Sequence, residues 1–384
     1  MTEAYQYIDT PEALQNLAQR LRGSPWICLD TEFMREKNYF PQLCLLQVAN
    51  AEEIACVDPL ALPGLDPLLE VLYDPATVKV LHAAKQDLEI LYHLRGAVPA
   101  PIFDTQIAAA LLCHNEQIGY ANLAEQTLGV RLDKAHTRTD WSLRPLDPGQ
   151  LRYAADDVRY LRDIYQHQLD QLREQGRLEW LQEDFDALSD PAQYAPDPEQ
   201  SWRRVKDAKR LKPKQLAVLK ALAEWRERRA MEVDKPRRWI LRDEVLTELA
   251  RAAPGDRAGL ERIRGLEPGA IKRVGDRLLE VIAAGGRMPR EQWPELEPRL
   301  TVKPEQEAVV DLLMALLRVR AREHELSPAM LSSRHDLERL LDGDRSVAVL
   351  HGWRRALVGT DLQALLDGRL RLGVADGMAT VGEG

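Results

Sequence analysis

Residues 26–33 read WICLDTEF, an apolar run of strand formers broken by two carboxylates two positions apart. Successive side chains of a strand alternate between faces, so Asp30 and Glu32 point the same way. Like charges gathered at the end of an apolar strand repel, so the arrangement calls for cations. Hard divalent ions such as Mg²⁺ or Mn²⁺ take oxygen ligands of this kind. A D-x-E pair alone specifies little, because surface turns carry many of them.

The surrounding pattern says what this strand belongs to. QLCLLQVA (42–49) and EIACVDP (53–59) follow with short connections, as consecutive hairpin-like strands do. A helix is expected near 65–73, a strand at VKVLH (78–82), a helix over 85–94 and a short strand at PIFD (101–104). Helices near 105–112, 120–128 and 148–170 complete the first half. Adjacent strands followed by strand–helix alternation indicate a mixed sheet with helices on its faces.

The proline-rich stretch 189–201 reads as a linker, and almost everything after it is helical. Leu216, Leu219, Leu222, Trp225 and Arg226 share one helical face. A second proline-rich segment, 288–304, divides two helical blocks that resemble each other. QLAVLKALAEWRERRA (215–230) aligns with QEAVVDLLMALLRVRA (306–321) at an offset of 91 residues. In each, a proline (Pro236, Pro328) and an Asp-led helix (Asp243, Asp336) come next, which suggests a duplicated helical domain. The closing VADGMATVGEG is expected to be a loose tail.

In LRYAADDVRYLRDIY, Tyr153 and Asp157 lie four apart and so share a helical face. A carboxylate there can hold a metal ion, and a phenol one turn earlier can hydrogen-bond an attacking water. Asp156 competes, but its helical phase lies further from Tyr153. A helix with solvent-facing acids is the plain alternative. Asp87 and Asp104 are equal candidates on residue type alone. An acid in a first helical turn is favoured by the helix dipole, and an aspartate before an apolar helix is a good N-cap.

Other chemistries find no support. There is no GxxxxGK[ST] loop, no Cys/His cluster with zinc spacing and no G-x-S-x-G elbow. Cys28, Cys44, Cys56 and Cys113 form no CxxC pair and are expected to be reduced thiols, buried in a cytosolic protein. No apolar run approaches the roughly 18 residues of a membrane helix, and MTEAYQYIDTPEAL lacks the parts of a secretory signal.

The net charge of −9 hides a sharp asymmetry. Residues 1–200 carry 16 Lys and Arg against 32 Asp and Glu, whereas residues 201–242 carry 15 against 5. An acidic front with a basic middle suits a carboxylate site fed by a separate phosphate-binding surface. Arg203, Arg204, Lys206, Lys209, Arg210, Lys212 and Lys214 are the candidate phosphate contacts, with a solvated helix face as the alternative.

Taken together, these motifs resemble the ribonuclease D family. DTEFMREKNYFPQLCLLQVA (30–49) looks like its first exonuclease motif, HAAKQDLEIL (82–91) its second and YAADDVRYL (153–161) its third, the Y-x-x-x-D form. The two helical blocks resemble the family's tandem HRDC (helicase and ribonuclease D C-terminal) domains. The second departs more, with Leu316 in place of Trp225 and no equivalent of Asp-Lys-Pro 234–236.

The resemblance implies a ribonuclease H-like α/β exonuclease domain, its mixed sheet five-stranded, over residues 1–195. All-α HRDC domains would follow over 205–290 and 300–375. It assigns metal binding to Asp30, Glu32, Asp87 and Asp157, places Tyr153 at the attacking water and leaves Asp104 as a cap. Phe33 and Met34 are expected beside the terminal base, although core packing explains Phe33 as well. The implied activity is 3′–5′ exoribonuclease trimming of structured RNA, tRNA precursors above all, by a monomer with two Mg²⁺ or Mn²⁺ ions per site. A DNA exonuclease of the same superfamily is the nearest rival. A non-catalytic RNA-binding adaptor would gain nothing from four clustered carboxylates.

Overall fold

A computed structural model describes residues 5–112, 117–133, 139–296 and 303–384. Contacts divide the chain into two compact units, one of Met1–Glu32, Cys44–Gln193 and Arg299–Gly384, the other of Phe33–Leu43 and Tyr194–Pro298.

The first unit is built on a mixed sheet. Its strands are β1 (Gln6–Ile8), β2 (Trp26–Met34), β3 (Gln42–Ala49), β4 (Ile54–Val57), β5 (Val78–Leu81) and β6 (Ile102–Asp104). They lie in the order β1-β4-β3-β2-β5-β6. β3 and β4 run antiparallel, whereas β1 with β4, β2 with β5 and β5 with β6 are parallel. The sheet therefore has six strands, not the expected five. The additional one, β1, has only three residues, too few for alternation to register.

Helices α1 (Pro11–Leu21), α2 (Asp66–Leu72), α3 (Lys85–Arg95), α4 (Thr105–Leu111), α5 (Tyr120–Leu128), α6 (Pro148–Glu174) and α7 (Gln182–Leu188) complete this fold. Ile27, Cys28 and Leu29 are fully enclosed, as a central strand covered on both faces requires. From Asp30 onward β2 opens toward solvent, which puts the D-x-E pair where the covering ends.

In the second unit, α8 (Pro213–Glu232), α9 (Arg237–Ile240), α10 (Asp243–Ala252), α11 (Arg257–Glu261) and α12 (Pro268–Gly286) enclose a core around Leu216, Leu219, Leu222, Leu246 and Leu278. A side chain at Gly285 would meet Val218 Cα at 2.8 Å, so only glycine lets α12 approach α8 this closely.

The duplication holds helix by helix. In the first unit, α13 (Pro304–Glu323), α14 (Pro328–Leu331) and α15 (Arg334–Leu341) each begin 91 residues after α8, α9 and α10. This second block packs on residues 177–184 of its own unit. Trp353 stacks on Trp180 with centroids 4.9 Å apart, and Arg177 donates to the His324 carbonyl at 2.7 Å.

The expected loose tail is instead a hairpin, β7 (Leu370–Ala375) and β8 (Met378–Glu383), so the second block is not wholly helical. Asp376 and Gly377 both have positive φ, 51° and 75°, as a two-residue hairpin turn demands. The Asp-Gly dipeptide was the overlooked signal.

Candidate active site

The site begins with the alternation of β2. Asp30 and Glu32 are half-buried on one side of the strand end, and the buried Thr31 lies between them. The Thr31 hydroxyl donates to Asp87 Oδ1 at 2.5 Å. Asp87 sits in the first turn of α3 and is itself buried.

Asp104 is settled in another role. Its carboxylate accepts from the N–H groups of Ala83, Ala84 and Gln106 at 2.8–3.1 Å, so it caps α4 and ties down the turn that precedes α3.

The third element is α6, started firmly by Pro148 and by a capping box between Asp147 and Gln150. Ala154, Ala155, Val158 and Leu161 face the core, which leaves Tyr153 and Asp157 half-buried, one turn apart. Asp156 is ion-paired with Arg159, so the competitor suggested by the sequence is committed elsewhere. Tyr153 and Asp157 line a small cavity of about 100 Å³. Trp141 lies near the phenol, with ring centroids 6.2 Å apart.

Asp30, Glu32 and Asp157 present ligand oxygens that all lie within 4.8 Å of one another. Burial, and then the charges of Asp157 and Asp87, push Asp30 well above the usual carboxylate range. Burial, with Asp30 and Asp87, pushes Glu32 up to about 9. Asp157 is raised by burial and by Glu32, while Asp87 reaches about 6, chiefly through burial.

Carboxylates so poorly compensated by protein groups are suited to cations, and an all-oxygen donor set fits divalent metal ions. Asp87 stands apart from the convergent trio, but its charge acts on both Asp30 and Glu32. The described cysteines, Cys28, Cys44 and Cys56, are buried and form no disulfide among the described residues, and Cys113 lies outside them. No helix among the described residues is long and apolar enough to cross a membrane.

Comparison with known proteins shows the family. A 3′–5′ exonuclease family profile matches residues 5–173, and an HRDC domain profile matches 215–282. Ribonuclease D of Gluconacetobacter diazotrophicus is 44% identical over 96% of this chain and 94% of its own. That of Acidiphilium cryptum is also 44% identical, over 95% and 94%. The crystal structure of Escherichia coli RNase D, described as an exoribonuclease involved in structured RNA processing, superposes with a TM-score of 0.84. It is 34% identical and covers 95% of this chain and 99% of its own.

The chain belongs to the ribonuclease D family. As a member it is a 3′–5′ exoribonuclease, a hydrolase of phosphodiester bonds, with a ribonuclease H-like domain followed by HRDC structure.

Of the remaining sequence candidates, Phe33 and Met34 continue β2 directly beyond Glu32 and are half-buried. Arg203, Arg204, Lys206, Lys209, Arg210, Lys212 and Lys214 are all exposed; Arg203 lies over the Trp202 ring, and Arg210 pairs with Asp207 at 3.2 Å.

Sequence reasoning missed what stands beside them in the second unit. Arg204 meets Arg226, Arg237, Arg238 and Arg242 around a cavity of about 410 Å³, and the neighbouring Trp239 is 52% exposed. The run RRWILR was a signal for it, obscured because the arginines converge only once α9 folds. Thr31 and Arg152, which lines the cavity beside Tyr153, were missed as well.

Proposed function

We propose that this protein shortens structured RNA from its 3′ end, tRNA precursors with 3′ trailers foremost, and releases 5′-mononucleotides. Asp30, Glu32, Asp87 and Asp157 hold two divalent ions, Mg²⁺ or Mn²⁺. Such ions neutralise phosphate charge and make water acidic enough to attack near neutral pH. Tyr153 hydrogen-bonds the attacking water and orients it toward the terminal phosphodiester. Phe33 and Met34 lie against the terminal base, where apolar contact tolerates any sequence.

The exposed basic residues of 203–214, with Arg238 and Arg242 on the 410 Å³ cavity, bind the RNA backbone. The corresponding domains are an exonuclease domain over 1–195 and HRDC domains over 205–290 and 300–375, in a monomer that works in the cytoplasm.

The observation that carries this reading is the convergence of three carboxylates within 4.8 Å, with a phenol one helical turn from the third. To test it, 5′-labelled tRNA with a 3′ trailer is incubated with Mg²⁺, Mn²⁺ or EDTA, beside single-stranded DNA of equal length and the Asp30→Ala variant. A metal-dependent ladder from the 3′ end of RNA, absent in the variant, is expected. Faster loss of DNA would move the assignment to the DNA-directed alternative, and binding without shortening would make the chain an adaptor.

A further inference from the structure

Beyond Met34 the chain runs through residues 35–41 without regular structure before β3 begins at Gln42. The backbone N–H groups of such a loop must find partners outside a ladder. One side chain supplies two of them. Asp234 Oδ1 accepts from the N–H of Tyr39 at 2.9 Å and of Phe40 at 3.0 Å, and its Oδ2 accepts from Asn38 Nδ2 at 2.6 Å.

A polar triad, with Tyr39 and Glu227 buried and Arg237 half-buried, backs this anchor. Tyr39 is 7% exposed, and its hydroxyl donates at 2.5 Å to the fully buried Glu227. Arg237 grips both oxygens of Glu227, donates to the Tyr39 hydroxyl at 3.2 Å, and lies 5.0 Å over the Tyr39 ring. All these residues belong to the second unit, although the loop is continuous in sequence with Glu32 of the first.

Asp234 is a poor choice for its own backbone. It follows α8 with φ 47°, where the Lys235 N–H returns to the Ala230 carbonyl at 3.0 Å, a helix ending that glycine makes without strain. The duplicated block makes the same turn 91 residues later, at Glu325 with φ 51°. The turn therefore does not demand aspartate, whereas the loop uses all the acceptors that aspartate offers.

We propose that Asp234 is a positioning residue for the exonuclease reaction: by fixing the 35–41 loop it holds Phe33, Met34 and the carboxylate of Glu32 in working register. The proposal rests on the roles given above to those three residues. A loop of seven residues pinned between two strands has little slack, so releasing its anchor is felt at Glu32, three residues from the loop's start. Misplacement of about 1 Å near reacting groups costs up to about 100-fold in rate.

Asp234→Gly is the deciding variant, because it deletes the carboxylate while relieving the backbone. The full chain, D234G and D234N are compared for kcat and KM on 5′-labelled oligoadenylate RNA with Mg²⁺, beside thermal melting. D234G is expected to melt like the wild type, with kcat about tenfold lower and KM little changed. D234N, whose Oδ1 still accepts from both backbone N–H groups, is expected to recover most of the rate.

Wild-type kcat in D234G would overturn the proposal. So would a loss of rate that disappears when the assay is cooled, since that marks a purely structural role. Failure of the wild type itself to shorten the RNA would overturn the underlying reading of the carboxylate site, a different result from an active wild type with an indifferent D234G.

Discussion

The Thr31 hydroxyl donates to Asp87 Oδ1 at 2.5 Å, so one strand supplies two clustered carboxylates and, between them, the group that orients another. Thr31→Val keeps the shape and the strand propensity but leaves the buried Asp87 without its hydroxyl donor. Groups that orient metal ligands typically contribute about 10–100-fold in affinity or activity. The variant is expected to need more Mg²⁺ for half-maximal activity and to lose about 1–3 kcal/mol of stability, the cost of a buried acceptor left without its donor. An unchanged Mg²⁺ titration would show that Asp87 does not depend on Thr31.

Asp30 is surrounded by Asp157, Asp87 and Glu32, so without metal its charge is a burden on the fold. Asp30→Asn is neutral without taking up a proton, so it escapes the cost that the raised Asp30 carboxyl carries at neutral pH. In EDTA the variant is expected to be more stable than the wild type by about 1 kcal/mol, the size of a typical stability–function trade. Adding Mg²⁺ stabilises the wild type alone. Exonuclease activity is lost. Should the wild type be the more stable protein in EDTA, the account of the cluster as poorly compensated charge is wrong.

Much of this site was legible because each half of it is local. Period two placed Asp30 with Glu32, and period 3.6 placed Tyr153 with Asp157. The choice between Asp87 and Asp104 was not local: it rests on a hydroxyl 56 positions away in one case and on the N–H groups of Ala83 and Ala84 in the other. The duplication was visible because it preserved an offset of 91 through three helices. β1 escaped because three residues show no period. The hairpin at 370–383 escaped because its Asp-Gly turn was read as part of a tail. The anchoring of 38–40 by Asp234 joins segments almost 200 residues apart, and no propensity records such a pairing.

Tyr153 lies one turn from Asp157 and shares its cavity, and a neutral phenol is a weaker ligand for a hard divalent ion than the carboxylates beside it. Tyr153→Phe is therefore expected to lower kcat by about 100-fold, a typical share for a group that positions or polarises a reacting water. Metal affinity, read from Mn²⁺ binding, is expected to stay within about twofold of the wild type, which is about 0.4 kcal/mol. A large loss of Mn²⁺ affinity would instead make the phenol part of the metal site.

Arg144 holds the segment before α6. Its Nε and Nη2 pair with the two oxygens of Asp58 at 2.6 and 2.7 Å, and it also donates to the carbonyls of Trp141 and Cys44. Burial alone would raise the Asp58 carboxyl, but hydrogen bonds from Arg144, Tyr7 and the Leu60 N–H outweigh it and leave the group below its usual value. A depressed carboxyl contributes stability above its unfolded pKa, near 4, and loses it as pH falls through the lower folded value. Arg144→Met is thus expected to cost about 3 kcal/mol at pH 7, as when one partner of a buried pair is removed. The difference from wild type should shrink below about pH 4, where Asp58 is protonated in the variant. Melting curves with equal loss at pH 7 and pH 3.5 would assign the effect to packing instead.

The basic stretch 203–214 presents exposed cations along its length, with Arg204 on the 410 Å³ cavity and Lys212 and Lys214 on another of about 490 Å³, and its contribution is expected to be electrostatic. Lys206, Lys209 and Lys214 are exposed and differ in surroundings, Lys206 and Lys209 lying before α8 and Lys214 in its first turn. Each lysine that meets an RNA phosphate releases condensed counterion, worth about 0.7 in the slope of log K against log salt for a single strand. Replacing all three with glutamine is expected to flatten that slope by up to about 2 and to weaken binding most at low salt. The rate on saturating RNA should stay near that of the wild type, because none of the three is part of the carboxylate site. A parallel loss of affinity at every salt concentration, with the slope intact, would mean that these lysines serve the fold of the helical block and that the arginines around the 410 Å³ cavity carry the backbone contacts alone.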